Sequence, residues 1–284
     1  MPEGPEIRRS ADALANVLQN QKINKVTVGL QSLKPFQSEL SGQRVTQVSC
    51  RGKAMLLHFD NDLSIYSHNQ LYGRWVIVPF DELPETNRSL RLGLHTDEHS
   101  ALLYSASDIS VWPREKLSEH PFLRKLGPDI LNQAVTPEVI LQRLTSSQFR
   151  KRSLAALYLD QAFLAGMGNY LRSEILFFAG IHPDSRPANL SDEQNNHLAE
   201  QTLQVTYRSY ETGGYTTSIS VSVRALHSAA EYEAERFMVF DREGQPCRRC
   251  NETILRAERS SRRIYFCPQC QRGNNVSAAT NSPA

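Results

Sequence analysis

The sequence lacks any long hydrophobic run. No stretch of its 284 residues approaches the roughly 20 apolar residues of a membrane-spanning helix. The first residues carry acids and no apolar core, which is not the pattern of a secretory signal. These absences favour a cytoplasmic protein. A hydrophobic content of 40% and a charged content of 22% are typical of a globular chain with one large domain or two ordinary ones.

Cysteine is scarce, and its spacing is informative. Four of the five cysteines form two Cys-x-x-Cys pairs, Cys247 with Cys250 and Cys267 with Cys270, sixteen residues apart. Two disulfides or an iron–sulfur cluster are the alternatives, but a reducing compartment disfavours disulfides and the chain has no ferredoxin-like run. We predict one structural Zn²⁺ held by four thiolates. The fifth, Cys50, is predicted to be a buried thiol.

The chain has almost no excess of either charge, because 32 basic and 30 acidic residues give a net charge of only +2. Its distribution is uneven. Residues 242–272 contain eight arginines and three glutamates, a local net charge of +5, and a second basic cluster lies at residues 150–152. Either cluster alone reads as a solvated surface. Together, with one inside the cysteine region, they favour a phosphate backbone as partner.

The sequence pattern changes along the chain from that of β-strands to that of helices, which predicts an α+β protein. Seven short β-rich runs from about residue 22 to 105, with a hairpin turn at 60–62, predict a sandwich or barrel behind one helix. That helix has an apolar stripe at helical spacing: Ile7, Ala11, Leu14 and Leu18. Helical patterns follow. The predicted order is a β-sandwich domain with an N-terminal helix at 1–120, a linker at 121–135, a helical domain at 136–236, a zinc finger at 237–272 and a disordered tail at 273–284.

Short sequence motifs predict where several helices begin. Thr136 and Pro137 predict a helix start, and Ser191 has capping-box spacing to Gln194 ahead of a long helix. The stretch "SLAALYLDQAFLAGMGNYLRSEILFFAG" predicts two helices broken at glycines 166 and 168. This break can be a simple packing joint or, next to a helix start, an anion site.

Five motifs resemble one family in its own order. They are "PEGPE", "RGKAMLLHF", "SHNQLYGRW", "DQAFLAGMGNYLRSEIL" and "CRRC…CPQC". Together they are similar to the formamidopyrimidine-DNA glycosylase / endonuclease VIII family, and within it to the bacterial endonuclease VIII branch. The resemblance implies a β-sandwich, a helix–two-turns–helix domain, a zinc finger, and a bifunctional glycosylase and abasic-site lyase of base excision repair.

The resemblance implies four catalytic residues. Pro2, exposed when the initiator methionine is trimmed, is the Schiff-base nucleophile, and an α-amine has a pKa of about 7.7–8.0 against about 10.4 for lysine. Glu3 is the general acid and base. Lys53 donates the proton for β-elimination, and Arg262 does so for δ-elimination. Arg263 adjoins Arg262, so the choice between them depends on register.

The resemblance also implies DNA contacts. A base inside a duplex must be flipped out, and Gln70, Leu71 and Tyr72 match the residues that fill the gap. This set is that of the endonuclease VIII branch, which prefers oxidised pyrimidines. Lys125 and Asn169 match backbone contacts. Lys125 departs from the family, which has arginine there, so the bidentate fork is lost.

The implied partner is double-stranded DNA with damaged bases or abasic sites, bound by a monomer in a bacterial cytoplasm and nucleoid. Residues 213–236 match the family poorly, and this is the region in which the family recognises damaged bases. Two alternatives remain open at this point. One is a zinc-finger DNA-binding protein without catalysis, and the other is the same chemistry directed at oxidised purines.

Overall fold

The computed structural model describes residues 2–80, 82–217 and 228–272. The chain divides into two compact units, Met1–Leu126 and Gly127–Ala284. The division falls inside the segment predicted as a linker, 121–135. The predicted tail, 273–284, lies outside the described residues. No helix within the described ranges is long and apolar enough to cross a membrane.

The N-terminal unit begins with helix α1, Gly4–Leu18. Pro5 suits its first turn, because a proline needs no hydrogen-bond partner for a backbone N–H there. The backbone N–H of Glu3 donates to Glu6 Oε2 (3.0 Å), which is half of a capping box. The predicted apolar stripe is confirmed, since all its members are buried: Ile7, Ala11, Leu14 and Leu18.

Two four-stranded antiparallel sheets follow in the described part of this unit. Their elements are β1 (Lys25–Val28), α2 (Gln37–Leu40), β2 (Val45–Arg51), β3 (Ala54–Phe59), β4 (Leu63–His68), β5 (Arg74–Pro79), β6 (Leu90–His95), β7 (His99–Tyr104) and β8 (Asp108–Pro113). One sheet has the order β1-β6-β7-β5 and the other β2-β3-β4-β8. Apolar side chains of both sheets and of α1 form one core.

The sequence predicts seven of these strands and misses β8. Its residues, "DISVWP", alternate but begin with Asp108, which reads as a continuation of the preceding turn. In the structure β8 completes the second sheet by pairing along all of β4. The predicted turn at 60–62 between β3 and β4 is confirmed, and Asp62 adopts a left-handed conformation there (φ 61°).

The described part of the C-terminal unit is mainly helical as far as Glu235. Its described helices are α3 (Pro137–Thr145), α4 (Leu154–Leu157), α5 (Asn169–Phe178), α6 (Asp192–Glu211) and α7 (Ala229–Glu235). The predicted starts of α3 and α6 are confirmed, and the side chain of Ser191 accepts a hydrogen bond from Gln194 N (3.1 Å). Helix α7, capped by Ser228, is not predicted, and residues 218–227 lie outside the described part.

One helix prediction is wrong. The segment before the glycine break is a single turn, α4, and not a full helix. Side chains replace its helical hydrogen bonds: Asp160 Oδ1 accepts from Ala162 N (2.8 Å), and Gln161 Nε2 donates to Met167 O (2.8 Å). Such local side-chain bonds compete with helix formation. Helix α5 does begin at Asn169, as the glycine signal predicts.

A two-stranded hairpin lies between the two cysteine pairs. It consists of β9 (Leu255–Arg259) and β10 (Arg262–Phe266). Ser260 and Ser261 form its two-residue turn with φ values of 55° and 56°. Two positive φ values match the right-handed twist of the flanking strands. Helix α5 packs against β10.

Candidate functional site

The first catalytic candidates lie at the start of α1. Pro2 is half-buried, and Glu3 is 3% exposed. A glutamate is rarely this buried unless other groups engage it. Glu3 occupies the N-cap position in extended conformation (φ −110°, ψ −173°), with its carbonyl accepting from Ile7 N (3.0 Å). The positive end of the helix dipole therefore favours its carboxylate.

Lys53 lies in the two-residue turn that joins β2 to β3. Arg51 pairs with Ala54, and Gly52 has φ 61°, the left-handed geometry that the first turn residue of this hairpin requires. Lys53 is only 8% exposed. A turn lysine is ordinarily solvated, so burial of this ammonium group distinguishes Lys53 from a surface residue.

Helix α1 brings the two candidates toward the same end of β2. The helix packs against this strand, and beyond its C-terminus Asn20 N donates to Val45 O (2.7 Å) where β2 begins. The helix is about 22 Å long and the strand about 23 Å. The helix N-terminus, with Glu3, is therefore directed toward the other end of β2, where Lys53 lies.

A polar cluster surrounds the Lys53 turn. His68 ends β4, pairs with Ala54 on one side and with Asp108 on the other, and forms an edge-on contact with Phe122. Burial lowers the pKa of His68, the Asp108 carboxylate opposes that shift, and the Lys53 ammonium adds to it. The Lys53 ammonium therefore lies close enough to influence this imidazole.

The loop after β4 contains the predicted wedge. Gln70 has φ 50°, its backbone N–H donates to His68 Nδ1 (3.0 Å), and its Oε1 accepts from Ser107 Oγ (2.8 Å). A Cβ on Gly73 would lie 2.6 Å from Asn69 O, so only glycine fits there. The backbone of this loop is thus fixed.

Two side chains project from this fixed loop. Leu71 is 60% exposed and Tyr72 is 70% exposed, and the Tyr72 carbonyl accepts from Arg88 Nη1 (2.6 Å). Large apolar side chains on a held backbone are suited to contact a partner. The loop and the Lys53 turn lie at the same end of the second sheet, because β4 ends where β3 begins.

Lys125 is exposed on a short 3₁₀ turn, Leu123–Lys125, near the end of the N-terminal unit. Arg124 beside it is also exposed. Of the basic cluster at 150–152, Arg152 is paired with Asp160 (2.6 Å), whereas Arg150 and Lys151 face solvent.

The four predicted zinc ligands converge. All four Sγ atoms lie within 4.8 Å of one another. Cys250 Sγ is 3.5 Å from the sulfurs of both Cys267 and Cys270, and Cys247 Sγ is 4.0 Å from that of Cys270. These separations are too long for disulfides. Four sulfurs bound to one zinc at roughly 2.3 Å lie about 3.8 Å apart, so this cluster can hold a tetrahedral ion.

Asn169 and the hairpin backbone are joined by Arg172, a fully buried residue of α5. Arg172 Nη2 donates to Asn169 Oδ1 (2.8 Å), to Arg262 O (3.2 Å) and to Arg263 O (2.9 Å). Its Nη1 donates to Ala155 O (2.6 Å). The C-terminal unit therefore links two of the predicted site residues through one guanidinium.

Arg262 and Arg263 are both exposed, but they point to opposite faces of β10. Arg263 shares a face with Tyr265. Burial and Asp241 raise the pKa of Tyr265, and the Arg263 guanidinium opposes this shift through a hydrogen bond and its charge. Arg263 is thus engaged beside a side chain of its own unit.

Glu174 is a second fully buried charge on α5. Its Oε1 accepts from Val239 N and Phe240 N (both 2.9 Å), and its Oε2 accepts from Met238 N (2.9 Å) and from the hydroxyl of Thr216. It fixes the chain that leads into the cysteine region. Sequence reasoning misses Arg172 and Glu174, although a helix that is otherwise apolar, "NYLRSEILFF", signals them.

Cys50 is half-buried, so its prediction as a buried thiol is wrong. It lies on β2, a strand with alternating partial exposure.

Known proteins resemble the chain over most of its length. Residues 1–107 match the formamidopyrimidine-DNA glycosylase N-terminal domain, and residues 126–221 match the H2TH domain of the same glycosylase. Endonuclease 8 of Escherichia coli (strain K12 / DH10B) is 48% identical over 271 residues, 95% of this chain and all of that protein. Endonuclease 8 of Shigella sonnei (strain Ss046) is 47% identical over the same shares.

The chain belongs to the formamidopyrimidine-DNA glycosylase family.

A solved structure shares the fold of this chain. Lactococcus lactis formamidopyrimidine-DNA glycosylase, bound non-covalently to DNA containing an abasic site, superposes with a TM-score of 0.78 at 20% identity. The match covers 95% of this chain and 99% of that one. The predicted family fold is therefore confirmed: sheets in the N-terminal unit, a helix–two-turns–helix domain, and a C-terminal cysteine cluster suited to a metal.

Proposed function

We propose that this chain is a bifunctional DNA glycosylase and abasic-site lyase of base excision repair, with Pro2 as its nucleophile. The observation that carries the proposal is the burial of Glu3 and Lys53 toward one end of β2, beside the half-buried Pro2. A non-catalytic DNA-binding protein has no use for a buried acid and a buried amine next to its terminal residue. Family membership and the Endonuclease 8 relatives give the same reaction class.

The chemistry follows from a secondary amine at the chain terminus. The Pro2 nitrogen attacks C1′ of the damaged nucleotide, the base leaves with the electrons of the glycosidic bond, and the proton lost from the nitrogen neutralises the departing base. Glu3 supplies the proton that opens the sugar, which leaves a cationic iminium. That cation withdraws electrons, so the 2′ proton is lost and the 3′ phosphate departs. Loss of the 5′ phosphate by δ-elimination then completes the strand cut.

Lys53 and Arg262 assist the two eliminations. Lys53 donates the proton for β-elimination, and its ammonium group also neutralises charge that develops at the sugar and phosphate. Arg262 is the better candidate for δ-elimination, because Arg263 is engaged beside Tyr265. If Arg262 promotes δ-elimination, Arg262→Ala should still give the products of β-elimination but not those of δ-elimination.

The wedge loop supports a flipped nucleotide as substrate. Gln70, Leu71 and Tyr72 supply an amide, an apolar side chain and a ring, the last two projecting from a fixed backbone. Such groups can occupy the gap that a flipped base leaves. Lys125 and Asn169 are proposed to contact the DNA backbone. Resemblance to Endonuclease 8 favours oxidised pyrimidines as the preferred lesions.

The cysteine cluster is proposed to hold one structural Zn²⁺. Four protein ligands close the coordination sphere, so the ion stabilises the hairpin and takes no part in the reaction. A site of four reduced thiolates also supports a cytoplasmic location, where thiols stay reduced. The protein is proposed to act as a monomer.

The test is borohydride reduction of the protein mixed with duplex DNA that contains an abasic site. We expect a covalent adduct whose mass maps to the peptide beginning at Pro2. The matched control carries an acetyl group on the same nitrogen and should form none. If a protein with a verified Pro2 terminus gives no adduct, or an adduct on Lys53, the assignment of the nucleophile is wrong.

A further inference from the structure

Arg172 stands apart among the arginines of the described chain, because it is fully buried and holds predicted site residues on two elements. Its described acceptors are carbonyl and amide oxygens: Ala155 O, Asn169 Oδ1, Arg262 O and Arg263 O. A guanidinium presents its donors in one rigid plane, so these acceptors are fixed relative to one another.

The first consequence concerns the hairpin. The carbonyls of Arg262 and Arg263 belong to consecutive residues, and one nitrogen of Arg172 binds both. Tyr265 N adds a contact to Ser173 Oγ (3.4 Å), one residue further along α5. Strand β10 is therefore held in one register on α5 directly at the residue that is proposed to promote δ-elimination.

The second consequence concerns Asn169. Arginine can only donate, so the amide atom of Asn169 that faces it is the oxygen. The amide nitrogen of Asn169 then points away from Arg172, and its two N–H groups are donors of the kind that bind a phosphate. Arg172 thus sets the direction of the amide without touching a substrate.

We propose that Arg172 is a positioning residue for δ-elimination, because it fixes the Arg262 backbone and the Asn169 amide as one unit. The inference rests on the proposed function for its catalytic readout. Misplacement of a reacting group by about 1 Å can cost up to roughly 10²-fold in rate. Loss of Arg172 is therefore expected to slow δ-elimination more than β-elimination, whose proposed groups lie in the N-terminal unit.

The test compares Arg172→Met with Arg143→Met in the zinc-loaded protein. Arg143 is a matched control, because it also donates to two carbonyl oxygens of its unit, Phe163 O (2.7 Å) and Ala162 O (2.6 Å). The ratio of δ to β products on abasic-site DNA is measured under single-turnover conditions. We expect a fall of about tenfold in Arg172→Met and no change in Arg143→Met.

A conservative variant separates positioning from folding. Arg172→Lys keeps the charge and loses the fork, so its product ratio should lie between those of Arg172→Met and the unaltered protein. If Arg172→Met does not fold, Arg172→Lys serves as the test variant. A ratio that stays unchanged in every folded Arg172 variant overturns the proposal, and so does an equal fall in Arg143→Met.

Hydrogen exchange provides a readout independent of activity. Amides of residues 255–266 should exchange faster in Arg172→Met than in Arg143→Met, with zinc content equal in both. If the unaltered protein does not cut abasic DNA, the proposed function fails, whereas this exchange result still decides whether Arg172 holds the hairpin. Unchanged exchange would show that it does not.

Discussion

In the N-terminal unit, Glu3 and Lys53 lie at the margin of a core built from apolar side chains of α1 and two sheets. In the C-terminal unit, Asn169 and Arg262 depend on buried charges and four cysteines. The hydrophobic effect on that core is the main force that forms the first arrangement. The cysteine region of the second has only a small apolar cluster, so the buried polar bonds of α5 contribute more of its stability, as would a metal held by the four cysteines.

Because of this difference, the two units should be destabilised by different kinds of substitution. An apolar core tolerates loss of any one polar contact, whereas a buried charge that loses its partners carries the full desolvation cost. Both tryptophans, Trp75 and Trp112, belong to the N-terminal unit, so tryptophan fluorescence reports on that unit alone. The comparison can therefore be tested one unit at a time.

Metal removal should have the largest effect and should affect one unit only. Metal binding contributes about 10 kcal/mol or more to the folding of small zinc modules, so chelation should unfold the hairpin and weaken DNA binding. Amides of residues 255–266 should lose protection from exchange. Tryptophan fluorescence should not change. A fluorescence change on verified metal loss, or unchanged affinity for DNA, would contradict the comparison.

Glu174→Gln should have the next largest effect. Glutamine has one acceptor oxygen, so an NH₂ group would face either the N–H of Met238 with the Thr216 hydroxyl or the N–H groups of Val239 and Phe240. We expect the C-terminal unit to lose about 2–4 kcal/mol of unfolding free energy in urea, followed by helical circular dichroism.

The matched control is Glu200→Gln, an exposed glutamate on α6 whose nearest described partner is His197 at 3.8 Å. An exposed pair of this kind contributes little, so the control should change the unfolding free energy by less than about 0.5 kcal/mol. Equal losses in the two variants would mean that the bonds of Glu174 do not stabilise the unit.

Patterns of local chemistry account for what the sequence predicts well. The stripe of α1, the capping box at Ser191, the turn at 60–62 and the cysteine spacing each depend on residues a few positions apart. Their physical causes lie within one element. The convergence of four sulfurs follows from two such short motifs and one hairpin.

What the sequence does not reveal depends on long-range contacts. The helix predicted before the glycine break fails, because Asp160 and Gln161 bond to the local backbone instead. Strand β8 forms only because β4 offers an open edge. The burial of Lys53, Arg172 and Glu174 cannot be predicted from the sequence either. A charged residue in a short motif is expected to be solvated unless its surroundings in the fold are known.

Acidification should give the smallest effect and should fall more heavily on the N-terminal unit. Burial lowers the pKa of His58, His68 and His120 there, against His182 in the C-terminal unit. The unfolded chain then binds more protons than the folded one below about pH 6.5, so stability is full above that pH and declines as pH falls.

The hydrogen bonds of these histidines predict the same decline in stability at low pH. The Nδ1 atoms of His68 and His120 accept hydrogen bonds from Gln70 N (3.0 Å) and Phe122 N (3.2 Å), and protonation would convert each acceptor into a donor. Urea unfolding followed by tryptophan fluorescence should show a lower midpoint at pH 5.5 than at pH 7.5. His99→Gln, a control at a half-buried position on β7, should keep this difference. A midpoint that is flat with pH would mean that these histidines gain partners on protonation and that the N-terminal unit is not the acid-sensitive one.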